Sequence, residues 1–179
     1  MKLNWGSSDN LHVDFLNVDM WEPPGAQPWD GTLDNYAGRF LKADLRKKLP
    51  LADSSCDEIR AHDIVEHLPS KIRTMNEIHR LLKPGGLLDL FVPTTDGRGA
   101  FQDPTHVSYW TPNDLWYYMP DFAEWQRFHV SSDITAAFRL LGQVRGATDC
   151  IREIELAHRD WGNKVWKLHI TLVAVKETK

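Results

Sequence analysis

Apolar and polar positions alternate with different periods along the chain, and the sharpest change lies within residues 56–93, CDEIRAHDIVEHLPSKIRTMNEIHRLLKPGGLLDLFVP. This run reads as strand, acidic turn, amphipathic helix, double-glycine turn and a strongly apolar strand. Ile72, Met75, Ile78 and Leu82 recur at helical spacing, and Lys71, Arg73, Glu77 and Arg80 fall mostly outside their stripe. Pro84 stops the helix, Lys83 sits favourably at its negative end, and Gly85-Gly86 supply a left-handed turn into a strand over 87–92. Strand, helix and strand in that order form a right-handed parallel crossover, so the apolar stripe must cover a sheet.

The flanking segments supply further strands. Short strands are predicted over 2–5 and 15–19, and the residues between them are fewer than the dozen or so that a parallel crossover normally needs. Any helix there is a single turn or missing. Residues 21–38 hold Pro23, Pro24, Gly25, Pro28 and Gly31 with no sustained period and read as an irregular excursion. A third strand is expected over 39–44 and a fourth over 57–62. In the fourth, Glu58 and Arg60 alternate with Ile59 and Ala61, which leaves one sheet face only partly covered, in keeping with the lost helices. After the fifth strand, turn residues run from 93 to 112, and a short helix over 113–119 has Thr111 as cap and Pro112 at its first position. Residues 125–130 and 138–144 suit strands, and 151–158 suits helix or strand equally. A Gly162-Asn163 turn before alternating Trp166, Leu168, Ile170, Leu172 and Ala174 predicts a terminal antiparallel hairpin. The expected fold is α/β, a single domain over 1–179 with a mostly parallel sheet, an antiparallel carboxyl-terminal edge and a reduced set of helices.

Composition narrows the function. The 179 residues are 42% hydrophobic and 26% charged, ordinary for a globular domain, with no stretch suited to a membrane span. A net charge of -4 gives no basic footprint, which disfavours nucleic acid as a partner. Cys56 and Cys150 form neither a disulfide framework nor a zinc pattern, and without a secretory leader pattern a cytoplasmic location is expected. Eight tryptophans fall mostly in predicted loops, where they serve packing or line a cleft.

Candidate chemistry gathers at strand ends. Asp19 closes the second strand, where a carboxylate either accepts both hydroxyls of a ribose or simply ends the strand in a turn. Imidazoles and carboxylates crowd residues 62–67 (HDIVEH). Three residues separate His62 from Glu66, a spacing that matches neither metalloprotease helix pattern, so no metal site is assigned. His79 lies on the apolar helix face and reads as a packed histidine with one nitrogen satisfied. The loop over 93–112 gathers Asp96, Arg98, Gln102, Asp103, Thr105 and His106 at the carboxyl end of a parallel strand. It reads as a lid over an acceptor, with His106 or Asp103 as candidate base, or else as a surface loop held by Asx turns.

These motifs, in order, resemble the class I S-adenosylmethionine-dependent methyltransferases over residues 2 to 118. Asn17-Val18-Asp19, Ala43-Asp44-Leu45-Arg46, Val65-Glu66-His67-Leu68, Leu82-Lys83-Pro84-Gly85-Gly86 and Phe101-Gln102-Asp103-Pro104-Thr105-His106 are most similar to small bacterial and phage members of the methyltransferase type 11 group. The resemblance implies a Rossmann-like sheet, S-adenosylmethionine as cofactor and methyl transfer to a small-molecule or sugar acceptor. It implies that Asp19 binds the ribose hydroxyls, Met20 lies against the adenine, and Asp44 with the Leu45 amide meets the adenine edge. His62 would lie near the methionine end, and Trp5, Gly6 and Ser7 would pass their backbone close to the methionine carboxylate. The family's first loop usually carries two or three glycines; here it is Trp5-Gly6-Ser7-Ser8. The lid would come from residues 94–124 or from another subunit, which makes a homodimer one expectation. Two other readings share the fold: a binding or assembly module without catalysis, and a different reaction of the same cofactor, such as aminopropyl transfer or cofactor cleavage.

Overall fold

The computed structural model describes residues 1–120, 133–141, 151–155 and 164–176. Their centre is a sheet built from β1 (Lys2–Trp5), β2 (Leu16–Asp19), β3 (Gln27–Pro28), β4 (Arg39–Lys42), β5 (Cys56–His62), β6 (Leu82–Pro93), β7 (Phe138–Leu140), β8 (Ile151–Glu155) and β9 (Lys164–Ala174). The order is β3-β4-β2-β1-β5-β6-β9-β7, with β8 also paired to β9. All pairs from β3 to β6 are parallel, and β9 runs antiparallel to β6, β7 and β8. The mostly parallel sheet with an antiparallel carboxyl-terminal edge is therefore the architecture the sequence predicts. Of the two readings open for 151–158, the strand is the observed one over Ile151–Glu155. The strand expected over 125–130 and the Gly162-Asn163 turn lie outside the described residues.

Helix α1 (Lys71–Leu81) joins β5 to β6. Ser70 caps it, its hydroxyl accepting from the Arg73 N–H at 3.3 Å. Met75, Ile78 and Leu81 are fully buried against Leu3, Ile59, Leu88 and Leu90 of the sheet. Ile72 is only half-buried, and Thr74 takes part in the inner face instead. The helix ends at Leu81, before Pro84 can stop it, because Leu82 already pairs with Cys56 in the sheet. Residues 83–86 then bulge out before Leu87 resumes the pairing opposite Glu58. On the outer side of α1, the Glu77 carboxylate accepts from the Leu49 N–H at 2.8 Å and from the Arg80 guanidinium at 2.7 and 2.8 Å. Arg80 in turn donates to Asp53 and to the Leu51 carbonyl. This pair fastens the segment that carries the buried Leu45, Leu49 and Leu51.

Handedness explains the other face. The β5–β6 connection and the β1–β2 and β2–β4 connections step across the sheet in opposite directions, so right-handed crossovers place them on opposite faces. The latter two are too short or too broken for an α-helix, and among their described residues the only helical element is a single 3₁₀ turn, Leu33–Asn35. That face is polar: Glu58, Arg60 and His62 of β5 and Asp89 of β6 are all half-buried on it. Asparagines replace the missing helix after β1. Asn4 and Asn17, both buried, bond to each other at 3.0 Å, and Asn17 also binds the backbone of His12, Phe15 and Arg39. The backbone of the short connection is thus satisfied by side chains.

Candidate functional site at the carboxyl ends of the strands

β1 delivers Trp5, Gly6 and Ser7 to the carboxyl end of the sheet. Gly6 has φ +76°, and a Cβ placed on it would lie 2.2 Å from Ile64 Cγ1 and 2.5 Å from Ile64 Cβ. Both the backbone conformation and the packing therefore require glycine. The Gly6 and Ser7 N–H groups donate to the Val18 carbonyl at 2.8 and 3.1 Å, folding the first loop back onto β2. Asp19 then receives one N–H on each oxygen, from Ser8 at 2.9 Å and from Trp21 at 3.0 Å. It acts as the strand-ending turn aspartate, and each oxygen keeps a second acceptor direction.

At the end of β4, Arg46 grips Asp44 with two guanidinium bonds, at 2.8 and 3.0 Å, and with its own N–H at 3.0 Å. These bonds hold the Asp44 carboxyl down at about 2. Arg46 also reaches Met20 Sδ at 3.8 Å, so the exposed Met20 and Asp44 share one corner. The Leu45 side chain is buried in the core. His62, at the end of β5, engages Asp89 through Nε2 at 2.7 Å.

Beyond β5, Asp63 adopts φ +51°, an uncommon conformation that aspartate tolerates better than most residues, and its carboxylate meets Lys167 at 2.5 Å. A single 3₁₀ turn, Val65–His67, follows. The loop after β6 docks on this turn: Val107 and Ser108 both donate N–H to the Glu66 carbonyl at 2.9 Å, and the Ser108 hydroxyl donates to Val65 O. His106 is consequently buried. Its Nδ1 donates to the Ala100 carbonyl at 2.9 Å, and its Nε2 lies 3.9 Å from Glu66 Oε1 and 3.8 Å from Asp103 Oδ2. His67 packs edge-on against the His106 ring, with 4.9 Å between centroids, and its Nδ1 contacts Thr105. Asp103 accepts from the Thr105 hydroxyl and amide, which lower its carboxyl below the usual range. Phe101 and Tyr109 stack at 5.1 Å on the exposed side of the same loop. The residues expected to form a short helix here make a 3₁₀ segment, Pro112–Tyr118, with Asp114 accepting from both the N–H and the hydroxyl of Thr111.

The sequence reading weighed Glu66 only as a metal ligand and assigned it no role in the site. It is 2% exposed, and burial pushes its carboxyl up to about 8. The signal available in sequence was a glutamate held between Val65 and Leu68, both of which pack inward. Glu66, His67 and His106 bring ligand-type atoms within 4.8 Å of one another.

Four buried polar side-chain atoms lack a hydrogen-bond partner among the described residues: Trp5 Nε1, Ser7 Oγ, Glu66 Oε2 and Thr94 Oγ1. Trp5 ends β1, Ser7 follows it, Glu66 lies just past β5 and Thr94 directly follows β6. All four belong to residues at the carboxyl ends of these strands, where a bound ligand or ordered water can satisfy them. A cavity of about 530 Å³ lies elsewhere, on the outer side of α1 beside Lys48, Arg73, Asn76 and Arg80. Arg80 there is already committed to Glu77 and Asp53, so the strand ends are the better candidate.

Residues 11–90 match the family described as methyltransferase domain. An uncharacterized methyltransferase of Mycobacterium sp. (strain KMS) is 35% identical over 66 residues, which cover 37% of this chain and 26% of that protein. The chain thus spans about a quarter of the length of that relative. A SAM-dependent methyltransferase from Methanosarcina mazei superposes with a TM-score of 0.56 at 16% identity, covering 98% of this chain and 92% of the other. The 1,6-didemethyltoxoflavin-N1-methyltransferase of Burkholderia thailandensis, solved with S-adenosylhomocysteine, gives 0.54 at 16% identity, covering 98% and 71%. At these identities the structural likeness establishes the fold.

Proposed function

From a chain whose residues 11–90 match a methyltransferase domain family and whose fold is shared with S-adenosylmethionine-dependent methyltransferases, we infer that it is itself a class I S-adenosylmethionine-dependent methyltransferase and transfers a methyl group to a small hydroxylated acceptor, a sugar among them. The observation that supports this reading is that residues with unpartnered buried polar atoms stand at the carboxyl ends of β1, β5 and β6, the end of the sheet that also carries Asp19. The residues present suit the cofactor. The remaining acceptor directions of Asp19 fit a ribose diol, the apolar Met20 beside Asp44 fits one face and edge of an adenine, and the buried Ser7 hydroxyl fits a polar end group near the Trp5-Gly6-Ser7 backbone.

S-adenosylmethionine, when bound, supplies a methyl group on an electron-poor sulfur. The protein's task is then alignment and removal of the acceptor's proton. His106 holds its Nδ1 proton on Ala100 and offers Nε2 as the proton acceptor, while Asp103 and Glu66 lie within 4 Å of that nitrogen. Glu66, whose carboxyl burial raises to about 8, holds its own proton at pH 7 and so leaves His106 to accept the acceptor's proton. Phe101 and Tyr109 present a flat apolar surface over which an acceptor ring can rest. This reading uses His62 only as a neighbour of the site.

Calorimetry with S-adenosylmethionine and S-adenosylhomocysteine tests it. Both should bind, and Asp19→Ala should weaken both by about 1–3 kcal/mol through the lost hydrogen bonds. His106→Ala should leave binding unchanged and slow the formation of S-adenosylhomocysteine with hydroxylated acceptors by about 100-fold or more. Folded protein that binds neither compound below millimolar concentration would rule out the enzyme and leave a binding or assembly module.

A further inference from the structure

Three neighbouring strands bring two imidazoles and a carboxylate to one point on the sheet face that α1 does not cover. His62 of β5 and His169 of β9 stand opposite the same residue, Phe91, one on each side of β6. Asp89 lies two residues before Phe91 and so projects from the same face. His62 Nε2 is 2.7 Å from one Asp89 oxygen and His169 Nε2 is 3.0 Å from the other. The three ligand-type atoms all fall within 4.8 Å of one another. Both rings pack at 5.3 Å against Phe91, which fixes their planes and separates them from Lys167 on the Phe91 ring.

The surrounding charges do not account for this convergence. Arg60 is the register partner of Asp89, yet its guanidinium bonds to Asn4 at 3.2 Å and, among the described residues, makes no ion pair with Asp89. Lys167 is taken by Asp63. The Asp89 carboxylate is left to two Nε2 atoms that approach it from opposite sides. Two imidazole nitrogens and one carboxylate oxygen on rigid neighbouring strands are the donor set and the count of a three-ligand transition-metal site, with a further position open to water.

We propose that His62, Asp89 and His169 bind one divalent transition-metal ion, zinc being the first choice. The mixed nitrogen and oxygen donors favour such an ion over magnesium or calcium, which take oxygen ligands. Bound there, the ion ties the antiparallel strand β9 to the parallel strand β5 across β6, on the face where the crossover helices are missing. The site is independent of methyl transfer. It also lies beyond the reach of spacing rules applied to residues 62–67, because the partners of His62 come from two other strands.

Metal-free full-length protein, prepared with a chelator, should be titrated with zinc in competition with a chromophoric chelator and with cobalt by visible absorption. The wild type should take up about one ion per chain with a dissociation constant in the micromolar range or tighter, and cobalt should give the intense bands of a low-coordination site. His169→Ala and the near-isosteric Asp89→Asn should each weaken binding by about 100-fold or more. Glu66→Gln and His106→Ala, which alter the other histidine and carboxylate group, should leave affinity and cobalt spectrum as in the wild type. Failure of the folded wild type to bind either ion overturns the proposal. So does retention of full affinity by Asp89→Asn and His169→Ala, or loss of binding in Glu66→Gln and His106→Ala instead.

Discussion

Gly6→Ala is expected to destabilise the protein by about 2–5 kcal/mol, a large part of a typical domain's stability. Two separate effects add. A non-glycine residue at φ +76° carries about 1–2 kcal/mol of backbone strain, and the new methyl group would sit 2.2 Å from Ile64 Cγ1 in packed surroundings, where overpacking costs about 1–3 kcal/mol more. Urea denaturation of the single variants and of Gly6→Ala/Ile64→Ala separates them. Trimming Ile64 to alanine removes the Cγ1 and Cδ1 contacts but leaves the strain and the 2.5 Å approach to Ile64 Cβ, so the pair should be more stable than the sum of its parts by about 1 kcal/mol and still less stable than Ile64→Ala alone. Strictly additive losses would show that Ile64 Cγ1 and Cδ1 are not the obstacle. The first loop then retains a single glycine because this is the one position where backbone and packing both demand it.

The second large effect concerns Glu66 and pH. Its carboxyl titrates near 8 in the folded protein and near 4.5 when exposed in the unfolded chain, so the folded state holds a proton that the unfolded state releases between those values. Below about pH 4.5 the group is protonated in both states and does not affect stability. As pH rises from there to about 8 its contribution increasingly opposes folding, and above 8 the penalty is constant at about 3–5 kcal/mol. Glu66→Gln removes this titration. Denaturation at a series of pH values should therefore show the variant gaining on the wild type by about 3 kcal/mol between pH 5 and 8, since all other ionising groups are common to both. Parallel curves would mean that Glu66 is ionised in the folded protein and that the orphaned Oε2 has a partner.

Much of the scaffold was legible in the chain. The crossover from β5 through α1 to β6 follows from the 3.6-residue stripe and the glycine pair, both local features. The half-covered face was legible too, from Glu58 and Arg60 alternating with Ile59 and Ala61, and the short connection after β1 with the proline- and glycine-broken one after β2 indicated its cause. Small errors came where the sheet competes with local preference. Leu82 was assigned to the helical stripe, but pairing with Cys56 draws it into β6. The strand expected over 39–44 stops at Lys42, because the Ala43 N–H turns to the Asp19 carbonyl and Asp44 is then free to be gripped by Arg46.

By itself, the sequence determined the order of elements, the parallel crossover, the acidic residues at the ends of β2 and β4, and the polar loop that carries Asp103 and His106. Each of these depends on neighbours within a few positions, where periodicity and turn chemistry act. The tertiary structure alone decided which of them meet. It buried Glu66 beside His106 by docking the loop after β6 on the turn after β5, and it set His62, Asp89 and His169 around one point. Those encounters depend on strand order and register. Both are settled by burial of the whole sheet against α1, so no local pattern around His62 could announce a partner that arrives from β9.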